Sequence, residues 1–286
     1  MNKYIFTGII LISFIFISQN FFCRNNNSEL LNKKSDKVYS KISAKDTIVI
    51  YNEQITVKKA FYKNENDTLL FRIYIPDNYD TVKFFPLFLF LHGAGERGND
   101  NESQMNIIND FIMEESFQNQ SSFVIIPQCP NDEKWVDADW TELFSDFKGK
   151  PEKSMNNTIN LLNKITGVYK IDTNRIYVMG LSMGGFGTWD IITRLPGKFS
   201  AAVPICGGGD EKQIGNLKSI PIWAFHGAKD KSVPVSRSRN MVYALRNINA
   251  DIKYTEYENA GHNAWTYALK ENDLINWIFA QTKSSR

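Results

Sequence analysis

Apolar and polar positions change rhythm along the chain. Residues 47–51, 54–57 and 68–75 alternate as half-buried strands do, with a turn at Asn64-Glu65-Asn66-Asp67, and predict an antiparallel β-meander. From residue 86 the runs become continuously apolar. Residues 86–91, 122–126, 176–179, 201–205 and 221–225 suit parallel strands buried on both faces, and the alternating run 252–257 suits an edge. Helical periodicity separates them. Residues 155–169 carry Ile159, Leu161, Leu162, Ile165 and Val168, and further helices are expected over about 185–194, 236–248 and 265–282. The pattern predicts an α/β fold: a doubly wound, mostly parallel sheet with helices on both faces, an antiparallel N-terminal β-meander and no large lid. No internal repeat or second folded domain is visible.

The N-terminus breaks this pattern. A basic start, Met1-Asn2-Lys3, precedes an apolar run over residues 4–17. That run is short against the roughly 20 residues of a membrane span and reads as an export signal. Residues 1–23 are therefore taken as a signal peptide or N-terminal anchor. No Ala-x-Ala-like cleavage site follows. Cys23 raises lipidation, against which stand the bulky Phe21 and Phe22. Residues 24–46, rich in Asn, Lys and Ser, read as a polar linker, and residues 47–286 as the folded domain. The expected location is periplasmic or extracellular, with membrane contact only through the leader.

Composition adds exclusions. The 286 residues are 43% hydrophobic and 22% charged, ordinary for a globular domain. The net charge of +2 carries no block of like charge, which excludes a nucleic-acid partner. No histidine or cysteine cluster has metal-ligand spacing, so neither metal nor organic cofactor is implied. Outside the leader stand Cys129 and Cys206, each just past a predicted strand. With two strands between them they would lie beyond the roughly 7 Å Cα limit of a disulfide, so two buried thiols are expected.

Gly180-Leu181-Ser182-Met183-Gly184 lies between a predicted strand and a predicted helix. In that setting G-x-S-x-G places a serine on a strained elbow at the top of a sheet, and a Cβ on either glycine would clash with the turn. A serine nucleophile needs a base and an orienting carboxylate, and functional loops of a parallel sheet follow the carboxyl ends of its strands. The loop after residue 225 holds His226 and Asp230; the loop after residue 257 holds His262. The order Ser182, Asp230, His262 is the one such a triad requires. His226 is expected to hold its own loop. Asp190, along a helix, and Asp210, in a glycine-rich turn, are weaker acids. Two donors are needed for the oxyanion. They are assigned to the N–H of Met183, which follows the nucleophile, and of Ala94 in the loop His92-Gly93-Ala94-Gly95-Glu96-Arg97-Gly98, with Gly95 as the alternative. Glu96 and Arg97 are expected to brace that loop as an ion pair.

Five segments carry a family resemblance: His92–Gly98, Gly180–Asp190, Pro204–Asp210, Trp223–Asp230 and Ala260–Trp265. They resemble bacterial α/β-hydrolase esterases of the phospholipase/carboxylesterase and dienelactone-hydrolase-like group. Some proteins of that kind are labelled prolyl-oligopeptidase-family peptidases, or polyester and feruloyl esterases. The resemblance spans residues 68–280 and implies Ser182, Asp230 and His262 as triad, with Ala94 and Met183 as oxyanion donors. A serine stands where the dienelactone hydrolases themselves carry a cysteine, so their thiol chemistry is not carried over.

The implied activity is hydrolysis of carboxylic esters through an acyl-enzyme. The expected substrate is a small-molecule or polysaccharide-linked ester. The alternatives are a serine peptidase and a binding protein on an inactive scaffold. After the turn that follows the strand ending at residue 205, only the stretch over residues 209–220 precedes the next strand, too short for a lid domain, so an open cleft is expected. Trp135, in the long insertion over residues 127–155, is the candidate substrate contact at its rim. Packing of the insertion by its own aromatics, Trp135, Trp140, Phe144 and Phe147, is the competing reading.

Overall fold

The computed structural model describes residues 37–40, 46–51, 56–147 and 149–283. The segment expected to be an export signal, Cys23 and most of the expected linker lie outside them. Ten strands form one sheet: β1 (Lys37–Ser40), β2 (Thr47–Tyr51), β3 (Lys58–Lys63), β4 (Thr68–Tyr74), β5 (Phe85–Leu91), β6 (Phe123–Pro127), β7 (Ile171–Leu181), β8 (Ala201–Ile205), β9 (Ile222–Gly227) and β10 (Ile252–Tyr257). Their order is β1-β2-β3-β4-β6-β5-β7-β8-β9-β10. β1 to β4 pair antiparallel, β4 joins β6 antiparallel, and every pair from β6 to β10 is parallel. β5 and β6 run outward on one side, and β7 returns to the other side of β5. The β5/β7 boundary is therefore the topological switch point, where the crevice of such a sheet opens.

Side-chain alternation divides the core. Leu87, Leu89 and Leu91 of β5 lie in the cluster formed with α3 (Lys153–Val168), α4 (Met183–Arg194) and α5 (Ser236–Asn247). Phe88 and Phe90 lie in the cluster formed with α1 (Asn109–Met113), α2 (Glu115–Gln118), α6 (Trp265–Ala268) and α7 (Leu274–Ala280). Continuous apolar strands follow from helices on both faces.

Four local expectations are corrected. β1 forms within the segment read as linker and pairs Val38 with Ile50 and Tyr39 with Val49. The strand expected over residues 54–57 falls on described residues only at 56 and 57, which form a bend, and a strand runs instead over Lys58–Lys63; Ala60 and Tyr62 are buried in it and Lys63 is exposed, a pattern masked by its three lysines. The helix expected over residues 265–282 is two helices, parted at the polar stretch Lys270-Glu271-Asn272-Asp273. α1 and α2 were not expected, although Ile108, Phe111 and Ile112 are spaced for one helix face. The Asn64–Asp67 turn forms: Asn64 Oδ1 accepts from the N–H of Asn66 at 3.0 Å and of Asp67 at 2.7 Å. Cys129 and Cys206 are free and buried, with β5 and β7 between the strands they follow.

Candidate active site

β7 delivers the chain to Ser182, whose backbone is held at φ 53° and ψ −119°, a region few L-residues occupy. Its N–H is anchored on Ile205 O at 2.8 Å. Both flanking glycines are required by contact. A Cβ on Gly180 would overlap Gly184 O, and one on Gly184 would overlap Leu91 O and reach 2.7 Å from His92 O. The glycines thus bring the start of α4 against the end of β5, and with it the His92–Gly98 loop beside the elbow.

Ser182 Oγ lies 2.8 Å from His262 Nε2, and His262 Nδ1 lies 2.7 Å from Asp230 Oδ2. A carboxylate accepts only, so Nδ1 carries the proton and Nε2 presents its lone pair to the serine hydroxyl. His262 keeps 26% of its side chain exposed, whereas the Asp230 side chain is fully buried. Trp265 meets the His262 ring edge-on at 5.3 Å. Asp230 Oδ1 accepts the N–H groups of Ser232 and Val233, each at 2.9 Å. Burial pushes the Asp230 carboxyl upward. Hydrogen bonds from His226, His262 and the Val233 N–H, with the charge of His262, outweigh it and hold the group well below the usual carboxylate range. The arrangement can take a proton from Ser182 onto His262 and hold the resulting imidazolium against a fixed charge.

Met183 opens α4 and Ala94 opens a 3₁₀ turn over Ala94–Glu96. As first residues, neither has a carbonyl one turn back to receive its N–H, which leaves two backbone donors beside the elbow. The ion pair expected between Glu96 and Arg97 is not formed. Arg97 Nε donates to Ala94 O at 3.0 Å and Nη1 to Glu133 O at 3.4 Å, so the loop is braced through carbonyls.

The remaining candidates are engaged elsewhere. Asp190 pairs with Arg194 at 2.7 Å, and Asp210 accepts from the N–H of Phe147 and Lys212 and from Gln213. The ligand atoms of Cys206, His226 and Asp230 lie within 4.8 Å of one another. The donor set does not suit a metal ion: burial pushes the Cys206 thiol up to about 12, Asp230 adds to the rise, and both ring nitrogens of His226 face protein partners. Between β8 and β9 stands only a 3₁₀ helix, Glu211–Leu217. Two surface hollows, one around Tyr62 and Lys164 and one around Glu114 and Asn276, contain no triad residue.

Trp135 corrects the expectation of a substrate contact. It is fully buried, its Nε1–H donates to His92 O at 2.9 Å, and its Cβ packs against Gly187 of α4. An indole whose whole surface and only donor are used internally supports the His92–Gly98 loop and cannot stack on a ligand. Trp135→Ala should therefore cost about 3–5 kcal/mol of stability, read by urea unfolding. An unchanged midpoint with altered KM for bulky esters would restore the rim assignment.

His92 is the buried counterpart. Nδ1–H donates to Gly93 O at 2.7 Å, and Nε2 accepts the Cys129 N–H at 2.9 Å. Burial lowers its pKa to about 4. Between that value and the ordinary 6.5 the unfolded chain binds a proton that the folded one does not. Stability is thus full above pH 6.5 and falls, by about 3 kcal/mol in all, as pH drops toward 4. His92→Gln, which keeps an acceptor for Cys129, should flatten this slope in urea titrations at pH 7 and pH 4.5. An unaltered slope would remove His92 as its source.

The crystal structure of a thermostable esterase superposes with a TM-score of 0.72 at 36% identity, over 80% of this chain and 64% of that one. An uncharacterized secreted protein of Arthroderma benhamiae is 27% identical over 231 residues, 69% of this chain and 23% of the relative. A bifunctional acetylxylan esterase/xylanase of Neocallimastix patriciarum is 26% identical over 158 residues, 55% of this chain and 21% of the relative. The chain spans less than a quarter of the length of these two relatives. The dienelactone hydrolase family profile matches residues 110–273, more than half of the chain, and the protein belongs to the dienelactone hydrolase family.

Proposed function

We propose that the protein is a serine carboxylic-ester hydrolase acting through an acyl-enzyme. Ser182 attacks the ester carbonyl, His262 takes the hydroxyl proton and returns it to the leaving alcohol, and Asp230 fixes the imidazole. The N–H groups of Met183 and Ala94 receive the developing oxyanion. Water then repeats the sequence on the acyl-enzyme. The observation that carries this reading is the hydrogen-bonded chain Ser182–His262–Asp230 at 2.8 and 2.7 Å, rooted on a strained elbow.

The acyl group we assign is small, such as acetyl, on a saccharide or other alcohol. The short β8–β9 connection supports open access for a bulky alcohol, and the relative named as an acetylxylan esterase/xylanase supports the acyl choice. We place the enzyme outside the cytoplasm from its leader, in keeping with the relative named as secreted. A panel of nitrophenyl esters with acyl chains of two to twelve carbons, acetylated xylan, a feruloyl sugar and a chromogenic prolyl peptide tests the reading. The highest kcat/KM should fall on acetyl substrates. Faster cleavage of the peptide would replace the esterase by a peptidase.

A further inference from the structure

His226 has no part in the reaction just set out, yet it touches the triad. It lies in β9 and is fully buried. Its Nε2 lies 3.1 Å from Val233 O and 3.3 Å from Asp230 Oδ2, the oxygen that also faces His262 Nδ1 at 2.7 Å. One carboxylate oxygen therefore faces two imidazoles. On the far side, Nδ1 lies 2.7 Å from Ser238 Oγ, and Ser238 lies 3.0 Å from Gly207 O.

Proton positions follow from the partners. A carbonyl and a carboxylate only accept, so Nε2 carries a proton. Nδ1 either accepts from Ser238 or, in the imidazolium, donates to it while the hydroxyl turns to Gly207 O. Both states fit the same heavy atoms, with only a hydroxyl rotating between them. Other titratable groups nearby have settled partners. The Cys206 thiol, just after β8, is held neutral by burial. Glu256, opposite His226 on β10, is bound by Arg239 and by Tyr254 at 2.7 Å. Arg237, beside Ser238 on α5, turns to Glu142 O at 3.0 Å.

We propose that His226 is a positioning residue for the triad: its Nε2–H holds Asp230 Oδ2 in register with His262 and draws off part of that oxygen's charge, setting the basicity of His262. The inference rests on the catalytic reading of Ser182, His262 and Asp230. The HGxxD spacing of His226 and Asp230 brings this about, since the turn after β9 folds the acid back onto the strand's last histidine, with the Asp230 N–H on Gly227 O at 3.1 Å.

Two near-isosteric variants separate the ring's two edges. His226→Asn leaves an amide where Nδ1 stood and nothing toward Asp230. His226→Gln brings an amide N–H toward the position of Nε2. For His226→Asn, kcat/KM on nitrophenyl acetate should fall about 10- to 100-fold, as a displaced carboxylate misaligns the base. Its acid limb should move upward by about half a pH unit or more, because the undivided charge of Asp230 favours the imidazolium of His262. His226→Gln should recover most of both.

Equal behaviour of the two variants with an unmoved acid limb would overturn the proposal, because a space-filling residue gives that result. Should neither variant fold, nitrogen-15 histidine spectra of the wild type and Asp230→Asn decide it. The His226 Nε2–H resonance must shift on that substitution, and an unmoved resonance overturns the proposal. Ser182→Ala measured alongside keeps the two readings apart. Retained activity there would remove the triad itself. Abolished activity with unchanged His226 profiles would remove only the role of His226.

Discussion

Replacing Ser182 by alanine should lower kcat for nitrophenyl acetate by about 10⁴- to 10⁶-fold while the protein stays folded. The attacking oxygen is removed, and nothing near the elbow supplies another in the same place. The residual rate is what two backbone donors and a bound substrate give an attacking water. Stability should change little, since alanine meets the same strain at φ 53° that serine does and only the bond to His262 is lost. His262→Ala should fall to a similar floor. The double variant should be no slower than either single one, because the pair acts as a unit. Steady-state kinetics beside thermal melts would show this. A Ser182→Ala protein keeping more than about 1% of wild-type kcat would contradict the covalent mechanism.

Gly184→Ala should be the most damaging single-methyl change at the site. The added carbon would overlap the carbonyl of Leu91 and approach that of His92, both backbone atoms that cannot rotate aside. Relief requires moving α4 off the end of β5. That move would break the elbow and part the two candidate oxyanion donors. The cost should be about 3 kcal/mol or more, enough to take a marginally stable domain close to unfolding. Gly167→Ala on α3 is the matched control. Its Cβ would meet nothing within 4 Å, and in a helix it should be neutral or stabilising by up to about 1 kcal/mol. Urea midpoints of the two variants read the contrast. A Gly184→Ala protein as stable as wild type would mean that the elbow can relax in a way the packing denies.

Much of this arrangement is legible in the chain because the physics is local. Continuous apolar runs at β5, β6, β8 and β9 report strands buried on both faces, and functional loops must follow their carboxyl ends. Ser182, Asp230 and His262 could therefore be placed in three loops before any distance was known. The illegible parts depend on partners far along the sequence. Trp135 sits among charged residues and reads alike whether it faces water or core; what decides it is a carbonyl at His92, 43 positions away. His226 reads as a strand-end histidine until the turn brings Asp230 onto it. The ion pair assigned to Glu96 and Arg97 fails for a related reason, because adjacent residues do not reveal that Glu133 O is within reach. The three lysines of β3 mask the inward positions of Ala60 and Tyr62, which its pairing with β2 and β4 sets.

Activation of Ser182 as a nucleophile can be measured directly. The native protein is incubated with a fluorophosphonate, digested, and the phosphonylated residue located by mass spectrometry, with heat-unfolded protein as control. Ser182 should be labelled stoichiometrically in the native protein, with esterase activity lost in step with labelling and no labelling after unfolding. Labelling at another serine, or full esterase activity in a protein whose Ser182 is blocked, would contradict it.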